Sequence, residues 1–366
     1  MMRIAIDVNP MFLSRGGIGN YAYHLVRQLT RLDHENQYFL YNTATRDREM
    51  EGLELSENVQ VVTFWRAFSR WKARRDRIDI YHGTSYQLWA EGRAGSVVTI
   101  HDLALVRFPQ FSKRFLGERW SIHKTRRILQ RATKIIAVSQ STANDLTNFY
   151  QIPADKITVI YNGVGEDFYP CCEPGMIKSI RDRYDIHTDD YVLFTGGCEP
   201  RKNLERLLEA FLILHRKVYP LSLVVVGGMG RRSHEIHQRI ARLGLERNVV
   251  LPGHVPNPDL RLLYSGARLF VYPTLYEGFG MPVLEAMACG VPVITSNASS
   301  IPEVAGDAAF LIDPYDVPAL AEAMGSVLED QNLHESLRTR GLERVKAFSW
   351  ESTAHQTLEV YKKCLI

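Results

Sequence analysis

Short apolar runs of strand type recur along the whole chain, and most are followed by a glycine or a polar turn. The first half carries Arg3–Val8, Tyr38–Tyr41, Val59–Phe64, Ile78–Gly83, Ser96–Asp102, Ile135–Ser139 and Ile157–Ile160. The second carries Tyr191–Phe194, Leu223–Gly230 with its glycine turn, Val249–Pro256 with the loop that follows, Leu269–Pro273 and Val291–Thr295. Between them lie segments whose apolar residues return every three or four positions, the spacing of an amphipathic helix. Tyr21, Leu25, Leu29 and Leu32 form one such stripe; Leu204, Leu207, Leu208, Phe211 and Leu214 form another. Ala319–Leu328, Leu333–Ala347 and Glu351–Leu365 read as helices, the last capped by Phe348-Ser349-Trp350. A further helix is expected from Met281 to Cys289, with Pro282 in its first turn and Gly290 as a left-handed stop. Ser299–Gly306 begins another short one.

Strand, glycine-rich loop and helix in that order open a doubly wound α/β domain. The order occurs twice, at Arg3–Leu32 and again at Tyr191–His215. With 366 residues, two domains each have enough chain for a core. Two prolines and a loss of periodicity between Tyr169 and Pro174 mark the expected boundary. The expected division is an N-terminal Rossmann-like domain over 1–170, a second over 171–348, and a terminal helix over 349–366.

Composition changes this picture little. Hydrophobic residues are 45% and charged residues 23%, ordinary for a soluble globular chain. No apolar run is long enough for a transmembrane helix. The opening residues read as a strand and not as a signal peptide. Five cysteines, at 171, 172, 198, 289 and 364, show neither metal spacing nor an even count, so a reducing cytoplasm is the expected compartment.

Charge changes it more. Residues 1–170 carry 23 basic and 17 acidic side chains, whereas residues 171–366 carry 21 and 24. Between Phe64 and Lys134 there are 16 basic and 5 acidic. Phe64, Trp65, Phe68 and Trp71 interleave with the first of these cations, and Phe111, Phe115 and Trp120 with a later group. Basic segments with interleaved aromatics suit an anionic membrane surface, so the 64–134 segment predicts peripheral contact with the inner face of the cytoplasmic membrane. Nucleic acid is not expected as a partner, since no nucleic-acid motif accompanies the charge. Solvated helix faces are the plain alternative.

The candidate chemistry lies in loops after strands. Gly16-Gly17-Ile18-Gly19 follows the first strand, but it is no dinucleotide fingerprint because no acid follows on schedule. His101-Asp102 sits just past the carboxyl end of an apolar strand, where open α/β sheets place ligand contacts. Gly196-Gly197-Cys198-Glu199-Pro200-Arg201-Lys202-Asn203 puts two cations beside a helix start. Cations oppose the dipole there, and a diphosphate supplies the reason for them. Glu277-Gly278-Phe279-Gly280-Met281 then opens onto the helix that carries Glu285. A loop opening into a helix start offers N–H groups to phosphate. An acid on each side of a phosphate site points to a sugar nucleotide, one acid for hexose hydroxyls and one for ribose.

Glu-Gly-Phe-Gly-x-Pro-x-x-x-Glu-Ala from Glu277 to Ala286 resembles the paired-glutamate signature of retaining GT-B glycosyltransferases of family 4. The glycine loop, His101, Arg201-Lys202, Glu277 and Glu285 fall in that family's order along the whole chain. Glu-Pro-Arg-Lys-Asn at 199–203 is similar to members that use GDP-mannose.

The resemblance implies two Rossmann-like domains facing across a cleft. The donor would lie mainly on the second domain, the acceptor on the first, and a C-terminal helix would cross back. It implies that Gly16 and Gly17 lie against the donor and that His101 touches its sugar, the His101 carbonyl facing the anomeric carbon. Gly197 and the Gly278–Met281 loop would line the diphosphate, and backbone near Val255 would hold the base. Glu277, His101, Arg201 and Lys202 are the expected catalytic residues, with Glu285 on the ribose.

No metal and no cofactor are required by this reading, only a nucleotide-sugar donor. The expected reaction moves mannose from GDP-mannose to a saccharide or lipid-linked saccharide of a cell-surface polysaccharide or lipopolysaccharide. UDP-sugar donors are the first alternative, and a non-catalytic membrane-binding module on the same fold is the second. A glycoside hydrolase would leave Arg201-Lys202 without a purpose. An epimerase or phosphorylase on this fold is a further rival, although no site for free phosphate is visible.

Overall fold

The computed structural model describes residues 1–13, 16–43, 55–93, 95–111, 115–215, 221–228 and 230–365, with backbone alone at 13, 111, 115–121 and 231. The side chains of Phe111, Phe115 and Trp120, the residues Lys113 and Arg114, and Met229 of the expected glycine turn lie outside what is described. The chain divides into two compact units, Met1–Gly163 with Phe348–Ile366, and Val164–Ala347.

The first unit holds a seven-stranded sheet: β1 (Arg3–Asp7), β2 (Gln37–Asn42), β3 (Val59–Thr63), β4 (Ile80–Gly83), β5 (Gly95–Ile100), β6 (Lys134–Ala137) and β7 (Ile157–Val159). Its order is β3-β2-β1-β4-β5-β6-β7, and every neighbouring pair is parallel. The second holds six: β8 (Asp190–Thr195), β9 (Leu221–Val226), β10 (Val249–Gly253), β11 (Leu269–Tyr272), β12 (Val293–Ser296) and β13 (Phe310–Ile312). Their order is β10-β9-β8-β11-β12-β13, again all parallel. The strand order therefore reverses between β1 and β4 in one unit and between β8 and β11 in the other. Just beyond the carboxyl ends at such a reversal, the outgoing loops part and leave room for a ligand.

The stripe-bearing helices form where the periodicity places them. Leu204–His215 buries Leu204, Leu207, Leu208, Phe211 and Leu214. The expected helix at Met281 runs to Ala288, with Gly280 at its start (φ 115°) and Gly290 left-handed after it (φ 73°). The first glycine-rich stretch differs from expectation. Helix Gly17–Leu32 begins at Gly17, with Gly16 extended as its cap, so Gly17 and Gly19 are helical and not loop. Packing outweighs the poor helix propensity of glycine here, since Gly19 is buried together with Tyr21, Ala22 and Leu25.

The terminal helix Trp350–Lys363 starts at Ser349, whose hydroxyl accepts from the Ser352 N–H at 3.1 Å. It packs on helix Gly17–Leu32 within the first unit: Trp350 stacks on His24 with ring centroids 5.0 Å apart. Tyr361 reaches the sheet. Its hydroxyl lies 2.6 Å from His82 Nδ1, and His82 Nε2 lies 2.8 Å from Thr99 Oγ1, which is 3.0 Å from the Tyr21 hydroxyl. All four residues are buried, so this chain of bonds ties the last helix to β4, β5 and the first long helix. Burial, with the His101 ring nearby, pushes the His82 imidazole down to about 3, so it stays neutral and keeps one ring nitrogen as acceptor.

Tyr361→Phe strands one buried His82 nitrogen and is expected to destabilise the first unit by about 1–3 kcal/mol. Hydrogen exchange on the intact chain checks this, as amides of Trp350–Lys363 should lose protection while those of β8 to β13 keep theirs.

Candidate active site

In the second unit the reversal point lies between β8 and β11. Gly196 and Gly197 leave β8 with φ of 124° and 70°, a conformation that only glycine adopts without strain. A Cβ on Gly197 would stand 2.4 Å from the Gly228 carbonyl oxygen, and one on Gly227 would stand 2.4 Å from the Gly197 nitrogen. The turns after β8 and β9 are thus pressed backbone to backbone. The Gly196 and Gly197 amides both donate to Val226 O, at 3.0 and 3.4 Å.

A short 3-10 turn, Pro200–Lys202, follows, and Asn203 closes it in the left-handed region (φ 64°). The Asn203 side-chain amide donates to Pro273 O at 2.9 Å and Pro314 O at 2.7 Å, anchoring the turn to the loops after β11 and β13. The Leu275 N–H donates to Arg201 O at 2.7 Å, a second tie between the turn and the loop after β11.

These ties deliver Arg201 and Lys202 to Glu277. Lys202 Nζ lies 2.6 Å from Glu277 Oε1, and Arg201 Nη1 lies 2.9 Å from Glu277 Oε2. Each carboxylate oxygen therefore has its own cation. The Tyr272 hydroxyl donates to Glu277 Oε1 at 2.8 Å and also bonds Lys202 Nζ. Thr274 Oγ1 is 3.0 Å from Glu277 Oε1 and 3.0 Å from Arg201 O. The Glu277 N–H donates to Ser299 Oγ at 2.9 Å, and Ser300 Oγ donates to the carbonyls of Glu277 and Phe279 at 2.9 and 2.8 Å. Lys202 and Glu277 are only 9% exposed along their side chains, whereas Arg201 keeps 21% and also meets Glu199 at 2.8 Å.

Burial alone would raise the Glu277 carboxyl, but Lys202, Arg201 and the Tyr272 hydroxyl overcome it and hold the carboxyl down to about 2. Burial pulls Lys202 the other way, below its ordinary range, against the attraction of Glu277. The direction that governs the site is that of Glu277: it is ionised, and two cations with hydroxyl donors surround it.

Glu285 meets different conditions one turn into the helix Met281–Ala288. It keeps partial solvent contact, yet protein surrounds it closely, and burial raises its carboxyl to about 7. Its bonded partner is the Tyr264 hydroxyl, which donates to Oε2 at 3.1 Å. With that proton directed at Glu285, Tyr264 accepts from Thr195 Oγ1 at 3.1 Å, which links Glu285 to the end of β8. Lys202 lies close enough to favour the Glu285 anion, so its charge acts on both acids. The helix itself has no side-chain cap at Gly280, where Gly278 and Phe279 lead in. Val255 is buried just after β10.

The remaining predicted residues belong to the first unit. His101 is buried at the end of β5, edge-on to Tyr21 with centroids 4.8 Å apart. Its Nε2 lies 2.8 Å from Thr84 O; a carbonyl can only accept, so the proton is on Nε2. Burial lowers the His101 imidazole, which stays neutral. Gly16 and Gly17 are exposed at the start of the first long helix. The structure thus brings Arg201, Lys202 and Glu277 into one cluster beside Glu285, and places His101, Gly16 and Gly17 in the other unit.

Sequence reasoning missed Tyr272, Thr274 and Tyr264. Tyr272 could have been found, because it ends an apolar strand at its ligand-facing edge. Asp7 was missed at the strand reversal of the first unit: it is buried at the end of β1, accepts from the Asn9 N–H at 3.0 Å, and burial raises its carboxyl. Among the described residues no group of His, Cys, Asp and Glu could hold a metal ion.

Comparison with known proteins gives this arrangement a lineage. Residues 15–168 match the family described as Glycosyltransferase Family 4, and residues 176–344 match Glycosyl transferases group 1. The chain is 32% identical to O-antigen chain mannosyltransferase B of Escherichia coli over 386 aligned positions, taking in 99% of this chain and all of that protein. It is 34% identical to the serotype-specific mannosyltransferase WbdA of Escherichia coli over 64% of this chain and 29% of that protein. Sucrose-phosphate synthase from Thermosynechococcus elongatus superposes with a TM-score of 0.78 at 22% identity, covering 99% of both chains. HepE of Anabaena, solved with UDP-glucose, gives 0.78 at 20% identity over 99% of this chain and 100% of that one. Full-length kinship at this level, with family matches in both units, shows that the chain belongs to family 4 of the glycosyltransferases and has the GT-B fold.

Proposed function

We propose that this glycosyltransferase moves mannose from GDP-mannose, with retention at the anomeric carbon, to a saccharide or lipid-linked saccharide in cell-surface polysaccharide synthesis. The observation that carries the reading is the buried Arg201–Lys202–Glu277 cluster at the strand reversal, beside an uncapped helix start. Full-length similarity to a protein named as an O-antigen mannosyltransferase supports the sugar, and the Glu-Pro-Arg-Lys-Asn loop supports the GDP donor. Breaking the anomeric bond builds negative charge on the diphosphate and positive charge on the sugar. Arg201, Lys202 and the N–H groups near Gly280 and Met281 stabilise the first. Glu277, ionised under all ordinary conditions, orients sugar hydroxyls and faces the second. Glu285 accepts from the ribose hydroxyls. The likeness to family 4 assigns His101 and the Gly16-Gly17 helix start to the donor as well. The leaving phosphate oxygen takes the acceptor proton on the same face, so no separate base is assigned. An anionic membrane surface is where a lipid-linked acceptor would be presented, which fits the basic character of 64–134 and a peripheral place on the inner face of the membrane. Among the described residues no helix is long and apolar enough to cross a membrane.

Calorimetric titration with GDP-mannose, GDP-fucose, UDP-glucose and UDP-GlcNAc tests the donor. GDP-mannose should bind at least tenfold tighter than the UDP-sugars, and the reverse order would overturn the donor assignment. Glu277→Gln keeps the site's shape and is expected to lower kcat by about 100-fold or more, with a modest change in donor affinity. Lys202→Ala should weaken both, and full turnover by the Glu277 variant would contradict its role. Donor binding should also depend on pH through Glu285. The ionised form accepts from ribose, and the free carboxyl titrates at about 7. Affinity is present above that value and lost below it, so Kd should rise about tenfold between pH 8 and pH 6. Glu285→Gln should flatten that profile.

A further inference from the structure

We propose that Trp65–Arg77 is a docking surface for an anionic lipid bilayer. The inference deepens the reading above, because a lipid-linked acceptor resides on such a surface, and it rests on that reading for its purpose. The segment leaves the edge strand β3 as a 3-10 turn, Arg66–Phe68, followed by the short helix Ser69–Arg75. Ser69 and Ala73 are buried and fasten one side to the unit. Trp71 projects from the opposite side, and Phe68 and Trp65 lead into it. Trp65 is 76% exposed, Phe68 54% and Trp71 57%. Among the described residues no other Phe, Tyr or Trp of the first unit is more than half exposed. Large aromatics are normally withdrawn from water, so three within seven residues mark a surface awaiting a partner.

The charges around them name the partner's chemistry. Within the segment, Arg66, Arg70, Lys72, Arg74, Arg75 and Arg77 stand against a single acid, Asp76, which Lys72 engages at 2.8 Å. Around the helix, Arg70 and Arg74 flank the aromatic stripe on one side and Lys72 on the other, while the Arg75 guanidinium lies over the Trp71 ring. Indoles at the headgroup level with cations on both flanks match the interface of an anionic bilayer. The helix is far too short to span and would lie in the plane of the surface. The surface is also coupled to the ligand-facing edge of the unit. The Arg66 guanidinium covers the Trp89 ring, and Trp89 hydrogen-bonds Asp7 at the carboxyl end of β1.

Flotation of the full chain with vesicles tests this, using phosphatidylcholine alone and phosphatidylcholine mixed with phosphatidylglycerol. The chain should float with the mixed vesicles only and be released by high salt. The variant Trp65→Ser, Phe68→Ser, Trp71→Ser should lose about tenfold or more in partitioning. Arg70→Gln, Arg74→Gln, Arg75→Gln should lose the preference for the mixed vesicles. Both variants should keep the melting temperature of the parent chain and its transfer to a soluble saccharide acceptor. Failure to bind mixed vesicles, equal binding by the aromatic variant, or binding of duplex DNA in place of vesicles would overturn the proposal. The assay contains neither donor nor acceptor, so a failed donor assignment leaves its result standing, and its failure leaves transfer to soluble acceptors intact.

Discussion

A carboxylate with a separate cation on each oxygen, nearly sealed from water, is the interaction on which the second unit's site depends. Burying charge is costly, and such a cluster persists only when each member is paired and further hydrogen-bonded. Glu277 meets that condition through Lys202, Arg201, Tyr272 and Thr274. The loops after β8 and β11 must therefore stay in register to within hydrogen-bond distance. The Asn203 amide and the Leu275 N–H secure that register from outside the cluster. The ionic group and the backbone ties are one construction, and neither holds its geometry without the other.

The two acids of the motif share a short sequence but meet opposite physics. Glu277 is held down to about 2 by its cations, whereas burial lifts Glu285 to about 7 beside a neutral tyrosine hydroxyl. One acid is permanently charged and the other sits at the edge of ionisation near neutral pH. Enclosure is common to both, so the number of cations within reach makes the difference.

Much of this was legible in the chain. The apolar runs gave the strands, and Leu204–His215 could be drawn residue for residue from its stripe. Helices with a thin buried face were not legible: Pro174–Arg183 buries only Ile180, and Ser233–Leu243 only Ile236 and Ile240. Stripes this thin, such as Ile236, Ile240 and Leu243, do not stand out from the polar residues around them. The helix start at Gly17 was hidden because glycine signals a loop locally, and only tertiary packing reverses that. Arg201, Lys202, Glu277 and Glu285 could be singled out because cations at a helix start and an acid on each side of a glycine loop need a reason, and the structure brings them together. Thr274 and Tyr264 were not singled out, since a threonine after a strand and a tyrosine on the buried face of the helix Asn257–Gly266 look like ordinary core. Which side chains meet across 70 or more residues, as Lys202 meets Tyr272 and Glu277, is decided by strand order, and that order is set by the whole sheet.

The backbone contact between the turns of Gly197 and Gly227 has a different kind of consequence. A methyl group on either would act as a wedge between two main chains, and nothing there is flexible enough to yield. That junction, one residue along from where Gly196 adjoins Lys202, is therefore built without side chains. Sequence drift can redecorate the walls of the pocket, and so retune which molecule it prefers, but the junction itself is closed to substitution.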